Sequence, residues 1–266
     1  MKLPEKLALI NKLKRKADDL RPSKDWDQAF LEKVKIEFTF NSNKIEGNTI
    51  TYGQTVRLLR DLVTPKGPSA GEVLDIVNHQ MVLNTVFKNY HSEEITEESI
   101  KELHKALMKN IEQWSDDGLY SPGNYKSFEN ATVRATGKIY KFMLPAHVPK
   151  AMADLVREIN TFIYNSDEND PDRHPLAVAA FFHQRFLNEI HPFSDGNGRI
   201  GRLFANLILI KKGFPPIFIK EVDRSEYLKR FEEMETEPGA MLDFLADRLI
   251  ESLRVKIKYI EGGGTE

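Results

Sequence analysis

The 266 residues carry a net charge of -2, with 41% apolar and 29% charged residues, the balance of a globular chain rather than a disordered or fibrous one, and of a length near the limit for one core. Without a cysteine the chain cannot form disulfides, thiolate nucleophiles or cysteine-ligated zinc, which suits a reducing compartment. No apolar run approaches the roughly 20 residues that span a bilayer, and MKLPEKLALINKLKRK is too interrupted by charge for a signal peptide, so the expectation is a cytoplasmic protein with no membrane partner.

The pattern is helical almost throughout, apolar residues recurring at three and four positions, and the expected fold class is all-α. Leu3, Leu7, Ile10 and Leu13 form the first stripe, which Pro22 ends. Its cations, from Lys2 to Lys24, come without an aromatic, which reads as a solvated helix face and makes nucleic acid an unexpected partner. Trp26, Phe30, Val34 and Phe38 form a second stripe running toward Gly47. Thr51 and Gln54 form a capping box ahead of Val56, Leu59 and Val63. A fourth helix is marked from Val73 to Phe87, and Thr96 opens a fifth through Leu103, Leu107 and Ile111. These helices read as short and capped.

From Trp114 to Pro149 the rhythm breaks, with glycines at 118, 123 and 137; ATVRATGKIYKF reads as a β-hairpin joined near Thr136-Gly137. Helical spacing returns from Met152 to Phe162 and from Pro175 to Ile190. Further helices follow through Leu203 and Ile208, around Tyr227, and from Met241 to Ile257, before a disordered GGGTE tail. Residues 1–69 are expected to form an N-terminal helical region, 70–250 the main domain, and 251–266 a helix end and tail.

Between two of these apolar helices lies HPFSDGNGRIGR, residues 191–202. Gly196, Asn197 and Gly198 allow a tight turn and present N–H groups at a helix start, where unpaired donors and the helix dipole favour phosphate. Arg199 and Arg202, three apart, can share a face and clamp phosphate oxygens. Asp195 is a hard anionic ligand suited to Mg²⁺, and His191 has the near-neutral pKa of a general base. Each has an ordinary structural reading alone. Within twelve residues they supply the parts of a phosphoryl-transfer site.

This stretch resembles the signature of the Fic family, His-x-Phe-x-Asp/Glu-Gly-Asn-Gly-Arg-x-x-Arg, at His191, Phe193, Asp195, Gly196, Asn197, Gly198, Arg199 and Arg202. Eight specified positions coincide by chance about once in 10¹⁰ windows. The likeness extends over about residues 70 to 250, flanking helices and hairpin included. It implies a helical domain that transfers AMP from ATP to a Ser, Thr or Tyr hydroxyl of an as yet unidentified protein target. Carried over, His191 is the base, Asp195 holds Mg²⁺, and Asn197 with nearby amides positions the phosphates. Arg199 stabilises the phosphates and the leaving pyrophosphate, Arg202 pairs with the γ-phosphate, and Phe193 anchors the loop.

Glu46 sits at a helix end, where the dipole disfavours an acid unless a cation meets it. Ser42, Glu46 and Gly47 are similar to the family's inhibitory motif, Ser/Thr-x-x-x-Glu-Gly/Asn. The resemblance implies that Glu46 pairs with Arg202 and blocks the γ-phosphate site, with Ser42 a hydrogen-bonding neighbour and Gly47 the cap. Thr132, Val133 and Arg134 are candidates for the flap edge that aligns a target segment by strand addition, against a plain solvent-facing hairpin. Tyr227 is a candidate for the adenine pocket or for the core. His79, His91, His104, His147, His174 and His183 lack metal-ligand spacing and read as structural. The acidic runs Glu93-Glu94-Glu97-Glu98 and Glu232-Glu233-Glu235-Glu237 read as solvated faces. Removal of AMP by the same residues, and a nucleotide-binding regulatory module without turnover, stand as alternative functions. The oligomeric state stays open, a homo-oligomer included.

Overall fold

A computed structural model of the chain describes residues 1–21, 28–90, 95–110, 121–134, 136–234 and 236–262. Outside them lie Pro22, Trp26, His91, Glu93, Glu94, Ile111, Trp114, Gly118, Glu235 and the tail beyond Gly262, on which some sequence expectations fell.

The described chain is helical apart from one hairpin. The helices are α1 (Leu3–Leu20), α2 (Gln28–Ile45), α3 (Tyr52–Arg60), α4 (Ala70–Asn89), α5 (Glu97–Leu107), α6 (Val148–Tyr164), α7 (Pro175–Gln184), α8 (Asn197–Lys211), α9 (Arg224–Glu233) and α10 (Ala240–Ile260). Several are longer than their apolar stripes suggested: α4 runs 20 residues and α10 runs 21. Packing of an apolar face carries a helix beyond the stripe that marks it. The expected box of Thr51 with Gln54 forms at the start of α3, a second box that the sequence reading did not mark joins Ser69 with Glu72 at α4, and Thr96 caps α5 by accepting from the Ser99 N–H.

α7 and α8 form the centre. From Arg199 to Ile210 every residue of α8 is buried, as befits a helix surrounded by others rather than one with a solvent face. α7 packs along α8, and α1 lies along α10 on the outside. One apolar core takes in Leu7, Ile10, Phe30 and Phe38 from the N-terminal region together with Phe182, Phe204 and Leu253, and a small satellite core joins Ile50, Leu58 and Ile76. Among the described residues no helix is long and apolar enough to cross a membrane.

Two details place the site. First, α2 closes with a paired bond pattern, Gly47 N–H to Lys44 O at 3.0 Å and Asn48 N–H to Asn43 O at 3.1 Å. Gly47 takes φ +95 in it, a conformation that glycine adopts without a Cβ penalty. Secondly, the hairpin of β1 (Ala131–Val133) and β2 (Ile139–Lys141) is antiparallel with Thr132 opposite Tyr140. Its turn is closed by Gly137, at φ +79, donating to Arg134 O at 2.8 Å.

Candidate active site

α7 ends in a π-helical turn, Arg185–Ile190, which delivers His191. The His191 N–H bonds to Phe186 O, five residues back, at 2.9 Å, and His191 itself has φ 48 and ψ 65. That left-handed geometry costs a residue with a side chain about 1–3 kcal/mol and persists where neighbours fix it. Nδ1–H of His191 donates to Leu187 O at 2.9 Å, so Nε2 is the lone-pair nitrogen, the one a base needs. The ring stacks on Phe142 with centroids 3.8 Å apart and planes at 13°. Burial pushes the imidazole down to about 4, the cation of Lys126 acts the same way, and the Leu187 carbonyl, Glu46 and Asp195 oppose it. The ring is therefore neutral and accepting at physiological pH.

The loop after His191 is pinned from inside. Phe193 is fully buried and stacks on His104 at 3.7 Å and 4°. His104 Nε2–H donates to Asp195 O at 3.0 Å while its Nδ1 accepts the Gly123 N–H at 2.9 Å. Asn197, expected to position phosphates, uses its carboxamide on the Phe193 backbone instead, accepting from N at 2.9 Å and donating to O at 2.8 Å. What it can offer an anion is its backbone, one of the unpaired donors at the start of α8. Gly196, at φ +73, admits no Cβ, which would sit 2.9 Å from Met108 Sδ.

The two arginines part company. Arg202 stays with the cavity: its Nη2 meets Glu46 Oε1 at 2.7 Å and Ser42 O at 2.9 Å, and its Nε meets Ser42 Oγ at 3.0 Å. Arg199 does not line the cavity; it is buried, bonded to Asp75 of α4, with Nη2 3.9 Å from Asp195 Oδ2. Three residues turn an α-helix by about 300°, leaving the pair some 60° apart, enough to send one to α4 and the other to the cavity. Glu46 lies over the α8 N-terminus: a Cβ on Gly198 would fall 2.1 Å from its Oε1. The carboxylate thus sits where an anion belongs. Partial desolvation of this side chain, 38% exposed, pushes its carboxyl up, but Arg202, with Arg199 and His191 beside it, outweighs that and the net direction is down.

A cavity of ≈ 670 Å³ opens between the C-terminal end of α2, the hairpin and α9, with His191, Asp195 and Arg202 on its wall. Thr132, Val133 and Arg134 line it. Tyr140 O–H donates to Asn188 O at 2.8 Å, and Arg134, whose guanidinium lies 4.0 Å from the Tyr140 ring, bonds the Asn188 side chain. One π-helical turn therefore holds both His191 and the hairpin. Tyr227 lines the cavity while being almost fully buried, its hydroxyl 2.9 Å from His183 Nε2, so it serves core and wall together. Phe142, Leu187, Asn188 and Arg224 also line it. Sequence reasoning missed these, Lys126 and Asp75, because none carries a local motif; only Leu187, one helical turn before His191, had a spacing that could have suggested it.

A family model described as the Fic/DOC family matches residues 94–209. A protein adenylyltransferase Fic of Nematostella vectensis is 31% identical over 200 residues, 74% of this chain and 42% of the relative. One of Drosophila grimshawi is 31% identical over 229 residues, 82% of this chain and 43% of the relative. The chain thus spans about two fifths of the length of the curated relatives it matches. Among solved structures, a Fic domain containing signaling protein from Bacteroides thetaiotaomicron is similar with a TM-score of 0.83 and 30% identity, covering 96% of this chain and 97% of that one. Fic-1 from C. elegans shares the fold, with a TM-score of 0.76 at 23% identity over 96% of this chain and 74% of that one.

Proposed function

This chain belongs to the Fic/DOC family, and on that premise we propose that it transfers AMP from ATP to a Ser, Thr or Tyr hydroxyl of a protein target, restrained by Glu46. The observation that carries this reading is one shared cavity wall: an accepting His191 Nε2, an Arg202 guanidinium and the open α8 N-terminus, with a carboxylate lodged among them.

In the reaction the target hydroxyl oxygen bonds to the α-phosphorus, its proton passes to His191 Nε2, and the bond to the β-phosphate oxygen breaks to release pyrophosphate. Positioning and electrostatics supply most of the acceleration, and the base about 10²–10⁴-fold. Arg202 holds the γ-phosphate once Glu46 has left it, and the first amides of α8 receive the other phosphate oxygens. Asp75 holds Arg199 behind the Asp195 carboxylate, so that Arg199 acts on the phosphates across the loop rather than by lining the cavity. The hairpin edge at Thr132 to Arg134, where Val133 is exposed and its two neighbours are half-buried, receives the target segment.

Asp195 fits Mg²⁺. Its carboxylate is about half exposed, at 48%, and lines the cavity. Among the described residues no group of three or more His, Asp or Glu could hold a metal, which suits an ion that binds one or two carboxylates and takes its other ligands from water and phosphate. When bound, it neutralises charge building on the phosphates.

The test is intact-protein mass after incubation with Mg²⁺ and ATP, for wild type, Glu46→Gly, and Glu46→Gly with His191→Ala. Gain of AMP in Glu46→Gly and in neither of the others supports the reading; ATP binding by Glu46→Gly with no transfer to itself or to a protein library sinks it. Because Glu46 and His191 line one cavity, removal of AMP is a second reading. It predicts that wild type, and not Glu46→Gly, strips AMP from protein previously modified.

A further inference from the structure

The left-handed turn at His191 is held on its N-terminal side by the Phe186 and Leu187 carbonyls. Its other support comes from Lys126, which lies between α5 and the hairpin and on neither helix that carries the motif. The Lys126 N–H donates to Pro192 O at 2.8 Å, and its ammonium donates to Ile190 O at 3.2 Å. One residue thus takes the carbonyls immediately before and after the base. The ammonium also bonds Asn130 Oδ1 at 2.6 Å, and Asn130 in turn donates to Phe193 O at 3.2 Å, extending the clamp one residue further. It stands 5.9 Å from the centroid of Phe142, the ring on which His191 stacks.

Lys126 is 4% exposed, and its bonded partners, the Asn130 carboxamide and the Ile190 carbonyl, are both neutral. A buried cation without a carboxylate is costly, and burial pushes this one down to about 8. A residue kept under those conditions does something that a packed apolar side chain would not. We propose that Lys126 is a positioning residue for the base: by gripping the Ile190 and Pro192 carbonyls it fixes the turn that aims His191 Nε2 at the attacking hydroxyl. The inference rests on the reading of His191 as the base in AMP transfer.

The experiment uses the full chain with Lys126→Met, Lys126→Gln and Lys126→Arg, each with and without Glu46→Gly. The first readout is the ¹⁵N spectrum of the His191 imidazole, assigned by its loss in His191→Ala. With Lys126 or Arg at 126, the Nδ1–H tautomer dominates. With Met or Gln it gives way to a mixture, because the Leu187 contact loosens with the turn. The second readout is AMP transfer in the Glu46→Gly background: kcat falls at least tenfold in Lys126→Met or Lys126→Gln, KM for ATP stays within about twofold, and Lys126→Arg recovers most of the rate. A folded Met or Gln variant with an unchanged tautomer and a kcat within twofold overturns the proposal. So does an equal loss in kcat and in ATP binding that Arg does not rescue, which assigns Lys126 to structure alone. If Glu46→Gly with Lys126 intact transfers no AMP, the reading of function fails, while the ring spectrum still decides what Lys126 does.

Discussion

Glu46 and Arg202 lie 156 positions apart in the chain and 2.7 Å apart in the fold. The guanidinium that a γ-phosphate would need is already bonded to a carboxylate and, through two further bonds, to Ser42. Removing Glu46 frees one edge of Arg202 and leaves it anchored. Glu46→Gly should therefore raise AMP transfer by tenfold or more. It should lower stability by about 1 kcal/mol, the low end for losing one partner of a buried group, or some 2–4 °C in Tm. Arg202→Ala should also free the carboxylate, yet stay inactive because the γ-phosphate loses its partner. Rates and melting curves of the two variants separate these outcomes.

The brake should not respond to mild acid. Partial desolvation pushes the Glu46 carboxyl up, Arg202 together with Arg199 and His191 draws it down by more, and the folded value falls below its ordinary 4.5. A carboxylate held down contributes stability that is full above its ordinary pKa and is lost only as pH falls through the lower folded value. The ratio of Glu46→Gly to wild-type rates should be flat from about pH 9 to about pH 6. A ratio that collapses across that span would mean that another group controls the pair.

Acid should instead loosen the whole fold. Burial pushes His104 and His174 down to about 4 and His183 to about 3, and His79 lies well below its ordinary value. Unfolded chains take up these protons near 6.5, whereas the folded protein refuses them until about 4. Stability is thus lost as pH falls from 6.5 toward 4, by at most about 1.4 kcal/mol per histidine per pH unit. Urea midpoints between pH 7.5 and about pH 5 should fall steeply. Transfer by Glu46→Gly should hold its rate to lower pH than an ordinary histidine base allows, since His191 stays neutral down to about 4.

His104 should matter to catalysis without touching the reacting atoms. It stacks on Phe193 and carries the Asp195 carbonyl, so His104→Ala should lower transfer about tenfold and cost about 2–3 kcal/mol for the lost packing and bonds. An unchanged rate in a folded variant would show that the loop keeps its shape unaided.

Gly198→Ala should silence transfer with or without Glu46. The added Cβ would fall 2.1 Å from Glu46 Oε1 and 2.9 Å from Arg202 Nη1, so deleting the glutamate relieves only the first clash. Comparable activity in Glu46→Gly and in its Gly198→Ala derivative would contradict this.

What could be read from the sequence was local. The motif is contiguous, Gly47 marks the end of α2, and Gly137 marks the hairpin turn, each a short-range signal with its own backbone cause. Long-range pairings were not legible: Asp75 draws Arg199 off the face that its spacing suggested, and the Phe193 backbone claims the Asn197 carboxamide. Lys126 reads in sequence as one more cation in a loop and is buried in the fold. Glu46 was legible only through resemblance, because helix geometry alone says that such an acid needs a cation and does not say which.

The turn from Arg185 to Ile190 fits one more residue into its final loop than an α-helix would. That surplus sets the phase at which the chain reaches His191. Wound as regular α-helix with the same number of residues, the segment would carry everything downstream on by about 100° and about 1.5 Å. A sequence that wound this segment as plain α-helix would still spell the entire twelve-residue motif, and its histidine would point away from the cavity. Reading frame within a helix, as much as the identity of the residues, is therefore part of what this site inherits.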